Sequence, residues 1–394
     1  MNHNESTCTG LFPQKQRNTG PFGHKSFIMK KASIIIIALL SGFFGKAQDI
    51  IPLDTINWNF EAESYILEEF KGKKSIYLQG GSIILKDGDF LNGTIEYDIY
   101  LKEVQAFPGV YFRMNGTNAE HFYIRPHQAG NPDANQAIPL TNGISPWQLY
   151  YGEKYAFPYE YKYDDWTHVK LVVHDDKAQV FLDYSEEPNL SWQLFHEPVE
   201  GGISLNGGNA QGMHLANIKI DRAKHELKNF KPLDRKPIEG LVPKWQLSDK
   251  FEEQLLDDHS KIPQIIADRT WVESVVVEEG TAANISRKVE RFDDVPGNTV
   301  FAKIELDATS DMIKLFEFGY SDRAVVILNG KPIYKGNNRY RSRDYRYLGT
   351  IGLFDAVYLP LRKGKNTLLL AVSEDFGGWL VTGRFVDAKG LKIQ

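Results

Sequence analysis

The chain has 394 residues, 42% of them hydrophobic, which is enough for two globular cores rather than one. Its formal net charge of -5 leaves no basic surplus, so it lacks the usual electrostatic footprint of a nucleic-acid or anionic-membrane binder.

Residues 1–28 are polar and patternless, and they precede a complete export signal with its own methionine. They read as a disordered upstream start-site artefact. Met29-Lys30-Lys31 supplies a positive n-region, Ala32 to Phe44 an apolar run, and Gly45-Lys46-Ala47 the small residues of a cleavage site. Residues 29–47 are therefore a predicted signal peptide, with a mature chain from Gln48 exported to the periplasm or beyond. The apolar run is too short to span a bilayer and no later stretch is long enough, so no membrane anchor is expected. The single cysteine is Cys8, which leaves the mature chain without a disulfide, a thiolate nucleophile, a cysteine metal site or a lipobox. The pattern of paired lysines, apolar run and Ala-Gln is similar to Bacteroidetes signal peptides.

From Thr94 to Leu101 apolar and polar residues alternate, putting Ile95, Tyr97, Ile99 and Leu101 on one face of a strand. Similar runs follow at Val110–Met114, His121–Arg125, Trp147–Tyr151, Val169–His174, Ala178–Asp183, Gly202–Asn206 and Leu215–Asp221. Helical periodicity is missing, and Gly, Asn and Pro punctuate the gaps. Lys224 to Lys250 is rich in proline and charge and reads as a linker. Strands resume at Thr299–Leu306, Lys314–Phe318, Ala324–Leu328, Thr367–Ser373 and Leu380–Phe385, with an Asn329-Gly330 hairpin turn. The predicted fold is all-β: two antiparallel β-sandwich (jelly-roll) domains, 48–223 and 251–394, joined by the linker 224–250.

Four segments of the first domain carry a resemblance: Gly109–Arg113, Trp166–Val173, Ala178–Asp183 and Leu215–Ile220. In that order they resemble the concanavalin A-like, or laminin-G-like, jelly rolls of secreted glycan-active proteins. In the second domain Val326–Tyr334, then Leu361–Asn366 leading into Leu368–Val372, is similar to galactose-binding-type sandwiches. Such modules commonly accompany carbohydrate-active enzymes. The resemblance implies a glycan ligand without fixing an activity.

One stretch is unlike scaffold. In the strand His121–Arg125, the residues His121, Tyr123 and Arg125 share a face by the period of two, while Phe122 and Ile124 take the other. A polar outer face meeting solvent accounts for that alternation equally well. The loop that follows concentrates Arg125, His127, Asn131, Asp133, Asn135 and Gln136, and then come Asn142, Trp147, Gln148 and Tyr150. Its alternative is a structured Asx turn. As a sugar site, Arg125 and Gln136 would meet a carboxylate or sulfate. Asn131, Asn142 and Gln148 would meet hydroxyls, and Trp147 or Tyr150 would stack on a sugar face.

Glycoside hydrolysis asks for two flanking carboxylates, and no spacing singles out a pair among Glu120, Asp133, Glu153 and Glu160. β-Elimination asks instead for a group neutralising a uronate carboxylate, a base for the C5 proton and an acid for the leaving oxygen. The candidate base is His127 or Tyr123, and the candidate acid Tyr150 or His121. The expected function is elimination on a uronate-containing, possibly sulfated, algal (ulvan-like) poly- or oligosaccharide, as lyase or non-reducing-end dehydratase. The alternatives are a non-catalytic carbohydrate-binding protein and a hydrolase resembling the keto-disaccharide hydrolases. The expected partner is an acidic saccharide, with no nucleic acid.

Weaker features remain. His168 and His174 share a strand face but lack a third zinc ligand nearby and read as surface or packing residues. No cofactor is required. Asp164-Asp165 and Asp175-Asp176 are the candidates for a structural calcium, with solvated turns as the alternative. Arg339 to Tyr347 interleaves cations with aromatics, suiting either an anionic glycan or a loop held by Arg on Tyr contacts. Asp375 to Trp379 reads as a turn with Trp379 in the core.

Overall fold

A computed structural model describes residues 50–208, 211–342 and 350–394. The proposed start-site segment, the signal peptide, Cys8 and residues 343–347 of the cation-aromatic run lie outside the described residues.

The first sandwich contains β1 (Trp58–Phe70), β2 (Lys73–Leu85), β3 (Gly93–Leu101), β4 (Gly109–Asn115), β5 (Asn118–Ile124) and β6 (Asn135–Leu140). It continues through β7 (Asp165–His174), β8 (Lys177–Leu182), β9 (Leu190–Gln193), β10 (Gly202–Asn206) and β11 (Met213–Asp221). The strands run in the order β6-β5-β4-β10-β2-β11-β3-β7-β8-β9, with β1 paired to β2. The long β2 serves both halves of this near-barrel. Its Ser75–Leu78 segment pairs with β11 and its Ser82–Ile84 segment with β10. Gly81 between them has a φ of +140°, and a side chain there would collide with the Glu61 backbone. A glycine is what lets the strand turn that corner.

The second sandwich contains β12 (Lys244–Ser248), β13 (Trp271–Glu278), β14 (Ala282–Asn284), β15 (Thr299–Ala308), β16 (Met312–Ser321) and β17 (Arg323–Leu328). It is completed by β18 (Lys331–Asn337), β19 (Asp355–Leu361), β20 (Gly364–Ser373), β21 (Leu380–Phe385) and β22 (Leu391–Ile393). The order is β18-β17-β20-β15-β12-β13-β14-β21-β16-β19, with β22 against β15. The fold is thus two antiparallel β-sandwiches.

Three expectations need correction. Lys244–Ser248, inside the predicted linker, is strand β12 and pairs with β13 and β15. Its alternation buries Trp245 and Leu247, but five residues beside Pro243 are too short a pattern to stand out. Helix is not wholly missing, since Ile262–Ala267 forms α1 with Pro263 in its first turn. Trp147–Tyr151 is not a strand. It is a turn closed by the Leu149 amide on the Pro146 carbonyl, and its side chains therefore diverge.

The two sandwiches pack directly on each other. Ile144 joins the second core, while Ala282, Ile351 and Leu380 pack with the first. Polar contacts follow the same seam. Asn142 Nδ2 donates to the Ser286 carbonyl at 2.8 Å, and Gln148 Oε1 accepts the Gly378 amide at 2.7 Å. Gly377 has a φ of +108°, and any side chain there would strike Gln148.

Candidate functional site

Between the sandwiches lies a cleft of about 1350 Å³. One wall comes from β5 and its surroundings. Phe122 faces inward against Trp192, so the period of two turns His121 and Tyr123 to the cleft. Their rings form a stack, with His121 3.7 Å from Tyr111 and 5.0 Å from Tyr123 between centroids. This face is not the open polar side of a solvated sheet, since His121 and Tyr123 are only 7% and 5% exposed.

Beyond β5 the chain enters a 3-10 turn, Pro126–Gln128, which brings His127 to the same wall. Arg125 is fixed from four sides. Its Nη1 donates to the Asp133 carbonyl at 3.0 Å and the Asp133 carboxylate at 3.1 Å. Its Nη2 donates to the Tyr123 hydroxyl at 2.7 Å and to Gln136 Oε1. The Tyr123 hydroxyl in turn donates to Gln136 Oε1 at 2.5 Å. Gln136 Nε2 is spent on the Trp147 and Tyr150 carbonyls, at 3.0 and 2.6 Å. Arg125, Tyr123 and Gln136 are therefore one self-satisfied network that braces the wall.

The protonation states follow from burial. Burial pushes His121 down to about 3, so its ring is neutral at ordinary pH, and among the described residues its buried Nε2 has no partner. His127 is also lowered, by burial and by the Arg125 charge, against the opposing pull of Asp133. Its buried Nδ1 likewise has no partner among the described residues. Burial raises the Tyr123 phenol despite Arg125 beside it. A phenol held protonated is a donor rather than a base.

The opposite wall belongs to the second sandwich and includes the start of the cation-aromatic run. It presents Arg291, Phe292, Tyr340, Arg341, Glu374 and Phe376. Trp147 crosses the floor, edge-on to Tyr340 at 5.8 Å. Among the described residues neither Arg291 nor Arg341 pairs with a carboxylate. Arg291 donates only to the Glu374 and Gly297 carbonyls, at 3.3 Å each, and Arg341 lies over the Tyr340 ring at 5.1 Å. Only Tyr340 and Arg341 had a signal in the sequence, in the cation-aromatic run. Arg291, Phe292 and Glu374 sit in loops whose spacing says nothing of a cleft.

The remaining candidates lie elsewhere. The Tyr150 hydroxyl is buried against Glu278, Asn142 and Gln148 bind across the seam, and Asn131 donates to Gln128 Oε1 at 2.7 Å at the surface. Tyr150 is thus no acid for this cleft, and these three amides do not line it. Arg125 and Gln136 line it but are committed to each other and to Asp133.

Among the described residues no group of three or more His, Asp or Glu is arranged to hold a metal ion. Asp164-Asp165 and Asp175-Asp176 flank the ten-residue β7, which at about 3.3 Å per residue holds them roughly 30 Å apart. They cannot share one cation. His168 is bound by Asp98 at 2.7 Å beneath the Tyr184 ring, and His174 meets His225 at 2.6 Å.

No protein-family model matches the chain, and no curated protein sequence does. Solved structures give distant likenesses. A candidate glycosyl hydrolase from Parabacteroides distasonis is 12% identical over 43% of this chain and 90% of its own, with a TM-score of 0.31. The carbohydrate-binding module CBM66 from Bacillus subtilis is 11% identical over 42% and 95%, with a TM-score of 0.29. A botulinum neurotoxin type C structure, described as entering cells through two ganglioside molecules, is 8% identical over 79% and 87%, at 0.26. Scores this low carry no argument about ligand or activity, which rests on the cleft's own residues.

Proposed function

We propose that this is an exported carbohydrate-binding protein that holds an acidic oligosaccharide in the cleft between its two sandwiches. The observation that carries the reading is the lining. Aromatic rings of Tyr111, Trp147, Phe292 and Tyr340 line the cleft together with the imidazole rings of His121 and His127 and the guanidinium groups of Arg291 and Arg341. Aromatic faces suit the apolar faces of sugar rings, and polar side chains among them suit their hydroxyls and charged groups.

The preference for an acidic sugar comes from the charge balance. Asp133 is paired with Arg125, Asp375 shares Arg323 with Glu253, and Glu374 is kept protonated by burial. Arg291 and Arg341 are left over, so the cleft is net positive and suits a uronate carboxylate or a sulfate. Titration calorimetry with a uronate trisaccharide, against a neutral trisaccharide of the same length, tests the reading. Binding of the acidic sugar, abolished or weakened at least about tenfold by Trp147→Ala, is expected. Absence of binding to any acidic saccharide would sink it.

A second reading, β-elimination on such a sugar by a lyase or dehydratase, is favoured by one observation. His127 lines the cleft and its pKa is lowered by burial and by Arg125, which keeps the ring neutral at ordinary pH, the state a general base needs. Incubation with uronate oligosaccharides would then generate the absorbance of a C4–C5 double bond, and His127→Ala would abolish it. A flat trace across several uronates leaves binding alone.

A further inference from the structure

Glu374 is a carboxyl group that nothing in the fold accounts for. It follows β20, lines the cleft opposite the His121 wall, and is only 2% exposed. Among the described residues its Oε2 has no hydrogen-bond partner. The backbone around it is rigid. The Glu374 amide donates to the Asn298 carbonyl at 2.9 Å, and the Asp322 carboxylate takes the amides of Asp375 and Phe376 at 3.0 and 2.9 Å. A buried acid placed this firmly, with an oxygen left unpartnered, costs stability in the free protein. Binding sites are where such a cost is recovered.

The charged groups around Glu374 define its state. Burial, then Asp322 and Asp375, raise it well above the carboxylate range, while Arg291 and Arg323 oppose. Arg323 is already committed to Glu253 and Asp375, at 2.6 Å each. Arg291 reaches the Glu374 backbone carbonyl, not its carboxylate. Glu374 is thus a neutral acid on the wall that also carries the two unpaired arginines.

We propose that Glu374 is a specificity-determining residue of the cleft, donating its carboxyl proton in a hydrogen bond to an anionic oxygen of the bound sugar. This rests on the acidic-saccharide reading and adds a residue and a pH dependence to it. A carboxylic acid facing a carboxylate gives a short, strong hydrogen bond. Once ionised, the same group repels the ligand. Arginine keeps its charge throughout, and the sugar carboxylate stays ionised above about pH 5, so a fall in affinity as pH rises reports the ionisation of Glu374.

Calorimetric titration of a uronate trisaccharide into the full chain from pH 6 to pH 9 tests this. Wild-type affinity should fall by about tenfold or more across the range. Glu374→Gln offers a donor of similar shape at every pH and should bind with a flat profile, retaining affinity at pH 9. If wild type and Glu374→Gln share one profile, Glu374 does not touch the ligand, and the inference falls while the binding reading stands. If no acidic saccharide binds wild type at any pH, the reading itself falls and takes this inference with it.

Discussion

The Tyr150 hydroxyl donates to Glu278 Oε2 at 2.5 Å, a bond that runs from one sandwich to the other. Arg287 closes the group, reaching Glu278 Oε2 at 3.0 Å and the Tyr150 oxygen at 3.3 Å. The Glu278 carboxylate is ion-paired with Arg287, so the bond it accepts from the buried phenol is charge-assisted. Tyr150→Phe should destabilise the protein by about 1.5–3 kcal/mol, measured as a shift in urea midpoint. It should leave saccharide affinity within about twofold, since the hydroxyl does not line the cleft. A large loss of affinity with unchanged stability would mean that the cleft depends on Tyr150 directly.

Arg125 is a positioning residue. Its flat guanidinium holds Tyr123, Gln136 and Asp133 at once, a geometry that a lysine ammonium cannot copy. Arg125→Lys should cost about 2 kcal/mol of stability and lower saccharide affinity by loosening the Tyr123 ring in its stack. Asp133→Asn should matter less, because the backbone carbonyl of residue 133 still accepts from Nη1. Equal effects of the two substitutions on affinity would point to the Arg125–Asp133 ion pair rather than the network.

The outline of the fold was legible because strands such as Thr94–Leu101 alternate over eight residues, long enough to overcome chance. β12 was not legible, since its Trp245 and Leu247 sit among prolines and charges and are buried by partners 30 to 60 residues away. One wall of the cleft could be read from the period of two at His121 and Tyr123. The turn at Trp147–Tyr151 could not, and it decides which way Trp147, Gln148 and Tyr150 face. The other wall depends on how two sandwiches dock, a long-range relation that local spacing does not carry. That is why local spacing points to Arg125 as the cation for the ligand, whereas among the described residues it is Arg291 and Arg341 that lack a carboxylate partner.

His121 makes stability depend on acid. Its folded-state pKa is held down to about 3, while in the unfolded chain it has the ordinary value of about 6.5. Between those values the unfolded state binds a proton that the folded state refuses. Stability is therefore full above pH 6.5 and lost as pH falls toward 3, with a slope of at most about 1.4 kcal/mol per pH unit from this group. His121→Phe keeps a ring between Tyr111 and Tyr123 and removes the titration. Urea unfolding at pH 7 and pH 5 should show wild type losing more stability than the variant. Parallel losses would mean that His121 is protonated in the fold.

Glu374 works in the opposite direction. Its folded-state pKa is raised, by burial above all, so the folded protein keeps a proton that the unfolded chain gives up. Without ligand, stability is full below the ordinary carboxylate pKa and declines as pH rises through the raised one. Glu374→Gln should be the more stable protein at pH 8 and should lose its advantage at pH 4. A difference independent of pH would place the carboxylate ionised in the fold.

Arg291 and Arg341 make binding sensitive to salt. Charges screened over about 10 Å at 0.1 M salt are screened over about 3 Å at 1 M, so an attraction between these side chains and a sugar carboxylate should weaken across that range. Affinity for a uronate trisaccharide should fall several-fold between 0.05 and 0.5 M sodium chloride, while affinity for a neutral trisaccharide stays level. Arg291→Ala and Arg341→Ala should each cost about 1 kcal/mol with the acidic sugar, about fivefold in Kd, and should flatten the salt dependence. Arg341 lies over Tyr340, so Arg341→Ala also strips a ring of its cover, and Arg341→Gln separates that packing loss from the charge. Equal losses with acidic and neutral sugars in all three variants would show that the arginines shape the cleft without reading the charge of its ligand.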